Sequence, residues 1–353
     1  MKHLLLRILY ALGIFAVSAR ITRQQLRILC YHGIWTGPKP HFGDCLFMSA
    51  ERFRSRLAFL RQRGYRVHSL EQGVALLRSG RIGPRDVVIT IDDAWAGTGE
   101  FMLPELERSG FPATLYVTTE NVLSQEPVWH VLLGYLLDRM NPQVEVARLL
   151  PGRSISEPVP RAELIGALTE RLLAVPAGKA RQDELREIGR LANVDTDAVL
   201  EARAFHLMSP AALRKAHEDG WDLQLHTHTH RMPDCDLERI REELQLNRAA
   251  LLGIVGDPAK RLVHFCYPGG IHHPSMFALL RQMGIVTATT TEAGLVEARD
   301  EPLAMRRILD CESMSQIELE AHLSGLGSLR DRARNALRRL LPRSHAAAVE
   351  VAQ

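Results

Sequence analysis

Two neighbouring aspartates, Asp92 and Asp93, close the run Val87-Val88-Ile89-Thr90-Ile91, and the chemistry legible in this chain starts with them. The run is bounded by Arg85-Asp86 and Ala94 and reads as a short buried strand. Unpaired carboxylates are costly to bury and rare in strands, so a pair at a strand's C-terminal end points to a cation or a functional cleft, or else to an Asp-rich turn. Side chains alternate along a strand, but a chain already turning into its loop lets both carboxylates reach one site with different tasks. A second strand-like stretch, Trp221 to Leu225, runs into His226-Thr227-His228-Thr229-His230. The four-residue spacing of His226 and His230 puts two imidazoles on one face of a helical turn, a geometry for sharing one divalent metal. His228 then points away as a solvated loop histidine. With Asp93 as third ligand, two histidines and a carboxylate suit zinc or a similar ion and leave a position open for water, which marks catalysis rather than scaffolding.

These residues carry a resemblance. Thr90-Ile91-Asp92-Asp93 resembles the Thr-Phe-Asp-Asp motif of the polysaccharide deacetylases (carbohydrate esterase family 4, the nodulation-deacetylase homology domain), and His226 to His230 resembles their His-Ser/Thr-x-x-His motif. The likeness runs from about Leu26 to about Ser324. It implies a distorted α/β barrel of about seven strands, Asp92 as catalytic base, and Asp93, His226 and His230 as metal ligands. It further implies a metal-dependent hydrolase that removes N-acetyl groups from a polysaccharide, a peptidoglycan or a lipid-linked glycan. Where the family often has Arg-x-Pro-Tyr, this chain has Cys266-Tyr267-Pro268-Gly269, so a cysteine replaces the arginine that braces the base and Gly269 replaces the tyrosine whose amide helps hold the oxyanion. A backbone amide survives that change, so Tyr267 and Gly269 stay candidate substrate or oxyanion contacts, as does His32 in Tyr31-His32. No clear Leu-x-His supplies the family's general acid; His322 lies in the right region with other neighbours. Arg307, before Ile308, is a possible substitute brace, with a surface arginine as the competing reading.

At 353 residues, 46% apolar and 24% charged, the chain can bury a large single core. A net charge of +3 does not call for nucleic acid, and no aromatic-basic interleaving appears. Five scattered cysteines argue against a disulfide framework and a structural zinc site. Residues 1–25 read as a signal peptide, with Val17-Ser18-Ala19 as cleavage site, or as a helix lying on a membrane surface; a periplasmic or inner-membrane location is favoured over the cytosol.

From Leu26 strand-like and helix-like segments alternate, the pattern of a parallel sheet with helices outside. The expected barrel spans residues 26–326, with a helical insertion at about 125–205 and a Pro- and Gly-rich interruption near Leu150 to Pro160. Trp129 and His130 open the insertion as candidate sugar contacts, against the plainer reading of a core aromatic. Residues 327–353 read as an arginine-rich helix and tail. Two rival functions stand beside deacetylation: hydrolysis of a non-sugar amide or cyclic imide, which needs a compact pocket rather than an open groove, and silent glycan binding.

Overall fold

The computed structural model describes residues 2–140, 160–233 and 236–329. Seven parallel strands close into a ring: β1 (Arg27–Tyr31), β2 (Asp86–Ile91), β3 (Thr114–Val117), β4 (Asp222–Leu225), β5 (His264–Cys266), β6 (Thr287–Ala293) and β7 (Met305–Leu309). β1 pairs with β7 (Leu29 beside Ile308) and with β2 (Leu29 beside Ile89), which removes both free edges and gives the expected distorted barrel. The distortion is visible at β2: the short strand Arg66–His68 pairs with its first half, and β3 takes its end, with Thr90 beside Thr114.

Alternation along the strands separates two apolar sets. Ile28, Val88, Tyr116, Cys266 and Met305 turn inward, while Leu29, Ile89, Leu115, Leu225, Phe265 and Ile308 turn outward against the helices. The inner set is small because polar groups share the barrel interior: Thr90, Asp92, Gln224, Thr289 and Arg307 are all buried. The helix Ala50–Gln62 illustrates the outer layer. Ser49 caps it by accepting from the Arg52 amide, and Phe53, Leu57 and Leu60 bury one stripe, each contributing on the order of 2 kcal/mol of apolar burial. Ser209 caps Pro210–Glu218 in the same way, with Pro210 at the first turn.

Several elements differ from expectation. After β2 a π turn at Thr98–Met102 continues into the helix Leu103–Ser109, where an ordinary α-helical start is the usual expectation. Between β3 and β4 lie the helices Trp129–Arg139, Arg161–Ala174, Lys179–Leu191 and Thr196–Glu201. The interruption at 150–159, Cys235 and the arginine-rich segment from 330 onward lie outside the described residues. A disulfide joins Cys45 to Cys311, although the scattered cysteines argued against a disulfide framework; a sequence separation of 266 gave no spacing signal. Asp44 accepts from the Ser313 amide and hydroxyl beside that bond, and Glu312 accepts from the amide and hydroxyl of Ser49, so the loop after β7 is fastened on both sides of Phe47-Met48. At the N-terminus two helices, Lys2–Ala11 and Ile14–Ile21, meet at 77°, and no single described helix is long and apolar enough to cross a membrane.

Candidate active site

β2 delivers Asp92 and Asp93 to the C-terminal rim of the barrel, the end where βα loops of such barrels carry their chemistry. Asp93 and Ala94 then adopt left-handed backbone, with φ of 69° and 65°, a conformation that side chains with a Cβ rarely take. Through that reversal both carboxylates reach one histidine: Asp92 and Asp93 each place an oxygen within 4.8 Å of a His226 ring nitrogen.

Asp93 Oδ1 lies 3.1 Å from His226 Nε2 and 3.1 Å from His230 Nε2, while its Oδ2 accepts from Trp95 Nε1 at 2.8 Å. His226 Nδ1 stands 2.7 Å from the carbonyl oxygen of Cys266, which can only accept, so Nδ1 carries a proton; Nε2 then faces Asp93 Oδ1 either through a second proton, which the neighbouring carboxylate favours by raising the ring's affinity for it, or across a shared cation. Groups with lone pairs cannot approach to 3.1 Å unless a proton or a cation lies between them. One cation shared by Asp93 Oδ1, His226 Nε2 and His230 Nε2 satisfies all three, and the oriented Nδ1–H is the supporting contact usual for a metal-binding histidine. Burial pushes the Asp93 carboxyl up, but the charge of His230 and hydrogen bonds from both histidines hold it well below the usual range.

The histidines do not share a helical turn, as their spacing suggested. Residues 226–230 are a loop in which Thr227 and His230 have left-handed φ of 62° and 57°. Two residues one turn apart on the helix Leu237–Val255 hold that loop, and sequence reading missed both. Glu243 accepts from the amides of His228 and Thr229 at 2.9 Å each and from the Thr229 hydroxyl. Buried Asn247 accepts from the His226 amide at 3.0 Å and donates to the Val117 carbonyl. His228 turns away from the metal set, half-buried rather than solvated, with Nδ1 2.9 Å from Thr119 Oγ1. A helical Glu-x-x-x-Asn following a histidine cluster was the available signal.

Asp92 is gripped from across the ring. Arg307 Nη1 and Nη2 donate to its two oxygens at 2.7 Å each, and the same guanidinium reaches Thr90 Oγ1, the Thr290 carbonyl and, at 3.2 Å, Cys266 Sγ. Arg307 is fully buried, so the surface-arginine reading is wrong: β7 lies beside β1, and alternation turns Arg307 inward while Arg306 stays exposed. Cys266, at the position of the family's arginine, leaves room for this guanidinium. Its Sγ sits 3.4 Å from Asp92 Oδ2, and Cys30 Sγ sits 3.7 Å from the same oxygen. Burial pushes the Asp92 carboxyl up, yet Arg307 outweighs it and brings it down to about 2.

His32 Nε2 is 3.8 Å from Asp92 Oδ2, and its buried Nδ1 has no partner. Tyr267 and Gly269 make no hydrogen bond to the cluster's side chains among the described residues. The Tyr267 amide donates to Thr289 within the sheet and its hydroxyl to the Leu303 carbonyl, and no hydrogen bond ties exposed Gly269 to either aspartate. His322 is exposed on the helix Gln316–Leu323, whose end meets Arg27 at the start of β1, the opposite end of the barrel from Asp92. Above the metal set opens a cleft of 1130 Å³ bordered by Asp93, Trp95, Trp129, His130 and His230. Trp129 is half-buried there with Arg181 over its ring, and His130 beside it is exposed at the edge of the cleft.

With the geometry in place, comparison with known proteins is informative. Residues 188–288 match the family model "polysaccharide deacetylase", a span that includes the histidine loop and β5 but not Asp92 and Asp93. No curated protein matches the chain. Among solved structures, a Streptococcus pyogenes deacetylase, PplD, determined with acetate, has a TM-score of 0.55 at 17% identity, covering 86% of this chain and 99% of that one. IcaB from Ammonifex degensii has a TM-score of 0.53 at 18% identity, covering 85% and 97%. A putative polysaccharide deacetylase of Bacillus anthracis, BA0330, has 0.52 at 17% identity, covering 85% and 68%. At these identities the structures establish shared fold; together with the family match they uphold the resemblance read from the motifs.

Proposed function

From a chain that resembles the polysaccharide deacetylases in family model and fold, we propose a hydrolase that removes N-acetyl groups from a carbohydrate with the help of a divalent metal. The observation that carries this reading is the convergence of Asp93 Oδ1, His226 Nε2 and His230 Nε2 beside an ionised Asp92, at the floor of an open cleft. Asp93, His226 and His230 would hold the ion, and a set of two imidazoles and one carboxylate suits zinc. When bound, such an ion supplies Lewis acidity that makes a water nucleophilic near neutral pH and polarises the acetamide carbonyl. Trp95 Nε1–H occupies Asp93 Oδ2, so a single oxygen is presented to the ion. Asp92, kept ionised by Arg307, is placed to take the proton of the attacking water, and the bidentate grip fixes its plane. His32, whose Nε2 stands 3.8 Å from Asp92 Oδ2, adds a further polar group beside the proposed base.

The cleft supports a glycan over a compact imide: at 1130 Å³ it is roomy, and half-buried Trp129 on its border offers an aromatic face that suits a sugar ring. The Cys45–Cys311 disulfide supports an oxidising compartment, hence the periplasm or cell envelope. Acetate release from acetylated chito-oligosaccharides, peptidoglycan fragments and small cyclic imides, measured alongside metal content, tests the reading. Turnover of the imides alone, or glycan deacetylation unchanged in Asp93→Ala, would overturn it.

A further inference from the structure

We infer that the N-terminal helix pair and the crevice beneath it form a docking site for the phosphate headgroups of an anionic phospholipid bilayer, holding the barrel with its catalytic mouth turned away from the membrane. Three independent features meet there. The first is an uncovered apolar face: Leu4, Leu5, Ile8, Leu12, Val17 and Ile21 are exposed, with Leu4 and Leu12 at 65% and 69%. The second is charge. Residues 2–43 contain no Asp or Glu, whereas Lys2, Arg7, Arg20 and Arg23 lie on or beside the pair. The third is a crevice of 780 Å³ between the second helix and the base of the barrel, bordered by Tyr10, Phe15, Arg20, Arg23, Arg63 and Arg85. Arg63 is paired with Glu320 at 3.0 Å, but Arg20, Arg23 and Arg85 have no carboxylate partner among the described residues. Apolar side chains facing outward beside unpaired arginines are the composition of a helix lying in a membrane interface.

The second helix is part of the folded body and not an appended leader. Phe15, Ser18 and Thr22 are buried; Ser18 and Thr22 hydroxyls donate to the Ser324 carbonyl at 2.9 and 3.1 Å, and Arg27 donates to Thr22 Oγ1 at 3.0 Å. Cleavage after Ala19 would remove Phe15 and Ser18 from these contacts. The placement also fixes orientation. The pair leads into the start of β1 and packs beside Pro84 and Arg85, which lead into β2, whereas Asp92 and Asp93 follow the end of β2. A barrel attached by this end opens its cleft to the aqueous side, so, resting on the proposed deacetylation, the substrate class is a glycan reached from solution and not a headgroup of the supporting leaflet.

The test is flotation of the full chain with vesicles of phosphatidylcholine alone and of phosphatidylcholine mixed with phosphatidylglycerol, read without any turnover assay. Binding to the mixed vesicles only, weakened about 30-fold in Arg20→Ala/Arg23→Ala, is expected, the equivalent of about 1 kcal/mol for each arginine near an anionic surface. Leu4→Glu/Leu12→Glu should abolish binding, and since all four side chains are exposed, unchanged melting curves will confirm intact folding. Equal flotation of all variants, binding indifferent to phosphatidylglycerol, self-association through this face in place of vesicle binding, or native protein that begins after Ala19 would each overturn the site. Vesicle-bound enzyme should deacetylate a soluble oligosaccharide at the free rate; loss of that activity on binding would overturn the orientation alone.

Discussion

Replacing Arg307 by Met tests the proposed site at its most buried charge. Asp92 and Arg307 are both at 2% exposure or less in their surroundings, and the pair is joined by two bonds of 2.7 Å. Holding the Asp92 carboxyl at about 2 against its ordinary 3.8 corresponds to roughly 2 kcal/mol of folding stability. Because the folded value is depressed, that contribution is complete above the ordinary carboxylate range and is lost as pH falls through about 2. Arg307→Met leaves the carboxylate buried without its counter-ion, and breaking such a pair typically costs about 3–5 kcal/mol. Burial, the largest influence on the group, is then opposed only by the weaker pull of His32 and His226, so the Asp92 carboxyl rises from its depressed value. Two measurements follow: urea melts at neutral pH, and the pH profile of kcat/KM. The expected result is a loss of several kcal/mol together with an acidic limb moved upward. Adding Asp92→Asn to Arg307→Met should recover part of the stability, since no charge is then stranded, without recovering activity. Arg307→Lys should sit between, keeping charge but losing the two-pronged grip. A stability change under about 1 kcal/mol with an unmoved acidic limb would refute the assignment, because removing a partner from a buried ion pair cannot be that mild.

Other outcomes are equally concrete. Asp92→Asn should retain metal and fold but lose about 10²- to 10⁴-fold in kcat, whereas loss of metal in that variant would mean the two aspartates have exchanged roles. His226→Ala and Asp93→Ala should empty the site in metal analysis; full occupancy in both would remove it. Asn247→Ala, which strips the His226 amide of its acceptor, should weaken metal retention during dialysis while leaving the cleft aromatics in place. Reduction of the Cys45–Cys311 bond should destabilise the fold by up to about 5 kcal/mol on loop-closure grounds, given the 266-residue separation, and a melt insensitive to reductant would show that the bond does not form.

The barrel was legible because its signals are local. Apolar runs of strand length alternate with capped amphipathic segments, such as the helices that Ser49 and Ser209 cap. What escaped reading depends on ring closure. Arg307 lies 215 residues from Asp92 in the chain and becomes its neighbour only because β7 returns to β1, so nothing in Met305-Arg306-Arg307 marks the second arginine as the inward one except its shared face with Met305. The disulfide was hidden for the same reason. The histidine loop was assigned to a helical turn because left-handed backbone at Thr227 and His230 leaves no trace in residue type; glycine, which would announce it, is absent from both positions.

The route by which Arg307 reaches Asp92 bears on when this protein can act. Its proposed base emerges early in synthesis, on the second strand of the ring, and the guanidinium that keeps that base ionised arrives on the last. A nascent chain halted before Met305 possesses both aspartates and both histidines but neither ring closure nor counter-ion, and its Asp92 would be protonated or wet. Catalytic competence is therefore gated by completion of the polypeptide. A released chain that ends before β7 should be inert toward acetylated sugars, and one that ends after Ser324 should be active.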